Sequence, residues 1–338
     1  MTVFERGALT TGIATLVCAN LIACSSNVPN SQDSAIAVPP AEQPNSLPDT
    51  ELQGLGVTVA SLGNPFFVTI GETADQTAQD LTGGSVNTAI VSSDYDLNKQ
   101  INQLEDFIAS GANLILLNAA DSEGIAPAVT RAKAAGATVI AIDVAAEGGV
   151  DATVTSNNVQ AGEVACQYIA DRLLGQGNVV ILNGPPVSAV VNRVHGCKSV
   201  LEQYPDIAIL SEDQNADASR EGGLRVMSDL LTTFPEIDAV FAINDPTGIG
   251  AELAAQQAGR NEFFIVGVDG APEAVDALKQ EESLFAATAA QYPAAMAATA
   301  VEVGLEILQG NPPAEDTILV PVELITPGNV DQYAGWDN

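Results

Sequence analysis

The sequence is poor in the residues that catalysis usually recruits. It holds one histidine in 338 residues, His195, so no histidine pair can be built for proton relay or metal binding. For Cys166 and Cys197 the sole histidine is His195 and no second base is evident nearby, which argues against a catalytic thiol. No G-x-S-x-G elbow, phosphate-binding P-loop or H-E-x-x-H helix occurs. The glycines of "GLGV" and "GGSVN" complete no dinucleotide fingerprint. Basic residues are scarce, 11 against 43 acidic ones, for a net charge of −32. Such a surface repels phosphate backbones and cannot dock on anionic lipid through a basic patch, so neither nucleic acid nor a bare membrane surface is an expected partner. Beyond the first residues no run is long and apolar enough to span a bilayer. Aromatics are only 4% of the chain, which makes the adjacent Phe66 and Phe67 of "SLGNPFFVTI" conspicuous.

What is present begins with the N-terminus. Residues 1–23 run from a short start with Arg6 into an apolar stretch that ends in Leu21-Ile22-Ala23-Cys24. This resembles the bacterial lipobox, which implies a signal peptide over 1–23 and a lipid on Cys24; the alternative is an ordinary secretory leader. Residues 24–51 are rich in Ser, Pro, Asn and acid without apolar periodicity, and read as a flexible tether. Export places the protein in the periplasm or at the cell surface. An oxidising compartment permits a disulfide between Cys166 and Cys197, which fall in successive helices expected at 159–175 and 187–203. The alternative is two buried, inert thiols.

From residue 55 short apolar β-branched runs alternate with amphipathic stretches. "LGVTVASL", "VNTAIVS", "ANLILLN", "ATVIAID" and "ATVTS" are followed by "GNVVILNG", "IAILSE", "IDAVFAIN", "FFIVGVD" and "LFAATAAQ". Continuous apolar runs suit parallel strands covered on both faces. The fold class is α/β, and ten such units exceed one open sheet, leaving an eight-fold barrel or two doubly wound lobes. In open α/β sheets ligands sit beyond the carboxyl ends of the strands. There the chain places Asn64, Phe66, Phe67, Asp143, Asn244, Asp269 and Gln291, with Arg193 following "VVILNG". Simpler roles exist for each: Asn64 as a turn residue, the two rings as core, the aspartates as helix caps, Arg193 as a surface residue. Asp245, before Pro246, reads as a cap, and Arg220 as a weaker ligand candidate.

"ASLGNPFFVTI", "VIAID", "NRVHGC", "VFAINDPTGIGA", "IVGVDGAPEAVDAL" and "ATAAQYP" stand in an order that resembles the periplasmic sugar-binding proteins of ABC transporters, of the ribose-binding-protein type. The resemblance spans about 55–325. It implies two α/β lobes joined by three crossovers, lobe 1 from 52–156 plus 292–321 and lobe 2 from 157–291 plus 322–338, with hinges near Ser156-Asn157, Gln291-Tyr292 and Leu319–Val322. It implies that a monosaccharide or small polyol is held between them by the eight residues above, without metal or cofactor, by a monomer that delivers it to a membrane permease. The alternative is a ligand-sensing subunit for a chemoreceptor or histidine kinase. Two departures bear on the ligand: Val144 follows Asp143 where ribose binders carry arginine, and Ala218 stands at a position usually aromatic.

These residue types suit a neutral sugar. Carboxylates accept from two hydroxyls at once, amides read a hydroxyl in either sense, and rings cover C–H faces. A carboxylate pair such as Asp143 and Asp269 also serves glycoside hydrolysis, but no other catalytic motif accompanies it, and the chain is not expected to be an enzyme. Phe67 and Asp269 are expected to lie outside the lobe cores.

Overall fold

The computed structural model describes residues 51–336; the leader, Cys24 and most of the tether lie outside them. The first half forms β1 (Gly54–Val59), α1 (Pro65–Thr82), β2 (Asn87–Ser92), α2 (Leu97–Ala109), β3 (Leu114–Leu117), α3 (Ala126–Ala134), β4 (Thr138–Ile142) and β5 (Ala152–Ser156). The second half forms α4 (Asn158–Arg172), β6 (Gln176–Leu182), α5 (Ser188–Leu201), β7 (Asp206–Ser211), α6 (Arg220–Thr233), β8 (Ala239–Ala242), α7 (Asp245–Ala258), β9 (Phe264–Asp269), α8 (Pro272–Leu278), β10 (Phe285–Ala290), α9 (Pro293–Leu308), β11 (Thr317–Val320) and β12 (Glu323–Ile325). All ten apolar runs read from the sequence contain a strand.

Two sheets result, with orders β2-β1-β3-β4-β5-β11 and β7-β6-β8-β9-β10-β12. Every pairing is parallel except β10 with β12. Reading outward, the second order repeats the first position by position, so the barrel alternative is excluded and two doubly wound lobes stand. Central strands such as "LILL" of β3 and "AVFA" of β8 are buried throughout, which is why they read as continuous apolar runs. Helix ends follow local chemistry. Asp96 accepts from the Lys99 amide at the start of α2, and Gly111 takes a left-handed φ of 85° just past its end.

The chain passes between sheets three times. β5 lies in the first sheet while α4 packs on the second; β10 lies in the second while α9 packs on α1 and β4; β11 and β12 close opposite sheets. The last two strands were not read from the sequence, because "TILV" and "ELI" are short, half-exposed edge segments flanking Pro321.

Cys166 and Cys197 form a disulfide between α4 and α5. The two helices touch backbone to backbone there. A Cβ at Gly162 would run into the Arg193 carbonyl, and one at Gly196 into the Val159 carbonyl. Glycine at both positions is what lets the sulfurs reach and sets Arg193 over the cleft.

Candidate ligand-binding site

The carboxyl ends of both sheets face one cavity of about 80 Å³, and all eight residues singled out in the sequence line it. Asn64, Phe66 and Phe67 come from the turn after β1 and the start of α1. Asp143 follows β4. Its counterpart by sheet position is Asp269, the last residue of β9. Asn244 follows β8, Gln291 follows β10, and Arg193 reaches in from α5. The doubly wound connectivity delivers these side chains to one place, since each leaves its strand at the same end of a sheet.

The polar groups form one network. Arg193 is buried; its Nε donates to Asn158 Oδ1 at 2.8 Å and its Nη1 to the Ile243 carbonyl at 2.8 Å and Asp269 Oδ1 at 3.3 Å. Gln291 Nε2 donates to the same Asp269 oxygen at 2.7 Å, and Gln291 Oε1 is buried with no hydrogen-bond partner. Asn118 Nδ2 donates to Asp143 Oδ2 at 2.9 Å. Burial pushes the carboxyls of Asp143 and Asp269 up to about 6, against the opposing pull of the Arg193 charge on both. With no cation after Asp143, one guanidinium serves two carboxylates. An orphaned amide oxygen and acceptor-rich walls are what a ligand with several hydroxyls would satisfy.

Several side chains hold two roles. Asn64 Oδ1 accepts from the Phe66 amide at 3.0 Å and caps α1, leaving Nδ2 without a partner among the described residues. Phe66 and Phe67 line the cavity, yet both are buried in the core of lobe 1, edge to face with centroids 5.4 Å apart. Phe67 is therefore a core residue, contrary to the expectation above: a ring at the third helical position has the cavity on one side and lobe 1 on the other. Asn244 caps α7 by accepting from the Thr247 amide at 3.1 Å and donates to the Ala218 carbonyl at 3.0 Å.

Asp245 is not the cap it was expected to be. It is fully buried, accepts from the Ala271 amide at 2.8 Å and takes the Thr288 hydroxyl at 2.8 Å. It thus anchors the turn that carries Asp269, and burial first, then the Asp269 charge, raises its carboxyl well above the ordinary range. Arg220 pairs with Glu273 and does not line the cavity. Sequence reading missed Asn118 and Asn158, which hold Asp143 and Arg193 in place, and Trp336. That indole packs edge to face on Phe66 at 5.5 Å and donates to the Asp269 carbonyl at 2.8 Å, joining lobe 1 to the β9 exit. A lone tryptophan in an aromatic-poor chain was the available signal.

Among the described residues no helix is long and apolar enough to cross a membrane, and no cluster of His, Cys, Asp or Glu is placed to hold a metal ion. A family model described as a periplasmic binding protein domain matches residues 55–312. The ribose import binding protein RbsB of Bacillus subtilis is 35% identical over 274 residues, covering 80% of this chain and 87% of its own length. A solved ABC transporter solute-binding protein from Bacillus halodurans with bound myo-inositol is 26% identical with a TM-score of 0.75, covering 84% of this chain and 98% of that one. The fructose-binding periplasmic domain of a hybrid two-component system is likewise 26% identical with a TM-score of 0.75, over 83% of this chain and 92% of that one.

Proposed function

Because the chain belongs to the periplasmic binding protein domain family, whose members are solute-binding proteins rather than enzymes, we propose that it captures one monosaccharide or small polyol between its lobes and hands it to an ABC importer. The observation that carries this reading is one cavity lined from both lobes by two carboxylates, three amides, a guanidinium and three rings, those of Phe66, Phe67 and Tyr95. The relatives bind ribose and myo-inositol by their names, and the departures at Val144 and Ala218 support a ligand other than ribose.

Binding works by closure. Asn64, Phe66, Phe67 and Asp143 belong to lobe 1, Arg193, Asn244 and Asp269 to lobe 2, and Gln291 to a crossover. A sugar touching both sets stabilises the closed form alone, so it shifts the open–closed equilibrium, with the crossovers as hinges. The closed pair of lobes then presents a composite surface that a permease can tell from the empty protein. A lipid on Cys24 and the tether after it would hold the body near that permease; Cys24→Ser should release the protein from membranes, and unchanged membrane association would remove the anchor from the account.

A thermal-shift screen of pentoses, hexoses, polyols, amino acids and peptides tests the ligand class. Stabilisation by one or a few sugars or polyols is expected; stabilisation only by amino acids or peptides would refute it. A sensor role is the second reading, favoured by the likeness to the two-component domain. Neighbouring permease and ATPase genes point to import, a kinase gene to sensing.

A further inference from the structure

The two lobes carry the same unusual turn at the same place in their topology. β2 is the edge strand beside β1, and β7 the edge strand beside β6. After β2 the chain holds Asp94 and Tyr95 at φ 52° and 59°; after β7 it holds Asp217 and Ala218 at φ 54° and 48°. Each pair leads into a capping residue, Asp96 for α2 and Ser219 for α6. Each aspartate is tied down by its own lobe: Lys99 Nζ to Asp94 at 2.6 Å, Arg225 to Asp217 at 2.8 Å. Consecutive left-handed residues without glycine are strained, a bulky one most of all, and such strain persists only where the surroundings over-determine it.

Both second residues face the cavity, Tyr95 from one lobe and Ala218 from the other. Tyr95 is 60% exposed, yet its phenol is raised from its ordinary value by burial and by the charges of Asp143 and Asp269. Its side chain therefore borders the cavity and meets solvent at the rim. The hydroxyl has no hydrogen-bond partner among the described residues. A tyrosine held in a strained turn, largely in water, at the rim of a cavity that two buried carboxylates also line, has no evident use in folding.

We propose that Tyr95 is a specificity-determining residue of this site, its ring covering the ligand from lobe 1 and its hydroxyl bonding one ligand hydroxyl, while Ala218 leaves the matching position on lobe 2 open. The inference rests on the sugar-or-polyol reading above. It makes the site one-sided: a ligand is covered at the Tyr95 rim and has room for a substituent at the Ala218 rim.

Calorimetric titration of wild type, Tyr95→Phe and Tyr95→Ala with ribose, xylitol, myo-inositol and D-allose tests it, with circular dichroism as the folding control. Tyr95→Phe should weaken the best ligand about 3–10-fold through loss of one hydrogen bond. Tyr95→Ala should weaken it about 10–100-fold through loss of ring cover as well, and both should change the order of preference within the panel. Wild-type affinities in both variants, or an equal loss for every ligand with the order kept, would overturn the role of Tyr95 while leaving the sugar reading intact. If the wild type bound no sugar or polyol, neither these four nor any other in the thermal-shift panel, both the reading and the role built on it would fall.

Discussion

Arg193→Met is the perturbation that best isolates the electrostatics of the cleft. Methionine keeps much of the arginine stem but removes three buried hydrogen bonds, to Asn158, Ile243 and Asp269. It also removes the one cation that favours ionisation of both Asp143 and Asp269. Breaking a buried pair by deleting one partner costs about 3–5 kcal/mol, most of it from the charge left behind. The native values of both carboxyls, about 6, lie above the ordinary 3.8, so the folded protein binds more protons than the unfolded chain between these limits. Stability therefore declines as pH rises through that window and is restored as pH falls. Without Arg193 both carboxyls rise further, and the penalty is felt where they would be ionised. The variant should lose about 3–5 kcal/mol at pH 7.5, and about 1–3 kcal/mol at pH 5, where only the orphaned Asn158 and Ile243 acceptors remain. Urea unfolding followed by circular dichroism at the two pH values measures this. An equal loss at both would show that Arg193 acts by packing and that the charge argument is wrong.

Phe67→Ala should lower stability by about 3–5 kcal/mol and also weaken sugar binding, since the ring belongs to both core and cavity; unchanged urea unfolding would refute the core role. Affinity for the best ligand should fall as pH drops below about 6, because protonation turns one acceptor oxygen of Asp143 and of Asp269 into a donor and removes the charge-assisted bonds to ligand hydroxyls. Calorimetry from pH 7.5 to 5 checks this, and a flat profile would mean the carboxylates are not acceptors for the ligand. The Cys166–Cys197 bridge closes a loop with a sequence separation of 31, worth about 3–4 kcal/mol by loop entropy. Reduction should shift the urea midpoint accordingly, and no shift would place the stability of the α4–α5 contact in its glycine packing alone.

The legibility of this chain follows the length scale of each signal. Parallel strands buried on both faces announce themselves as apolar runs, so the layout was readable, and in this architecture it also names the strand exits where Asp143 and Asp269 stand. β11 and β12 were lost because edge segments of three or four residues carry no such run. Asp245 was misread because an aspartate before proline looks like a cap, while its true partners, Ala271 and Thr288, are 26 and 43 residues away. Tyr95 was invisible for a different reason. Its position depends on two left-handed residues in a turn, which neither propensity nor periodicity encodes.

The threefold passage between sheets also has a consequence for how the chain comes to be made. Lobe 1 takes its covering helix from Pro293–Leu308 and its last strand from Thr317–Val320, so its sheet and core draw on both ends of the sequence. A nascent chain emerging from its amino end holds β1 to β5 long before it owns the residues that shelter them. Only lobe 2, nearly contiguous from α4 to β10, has most of its parts at hand earlier. The half of the molecule that is synthesised first is thus the half that must wait, and the polypeptide stays unfinished until almost its final residues are available.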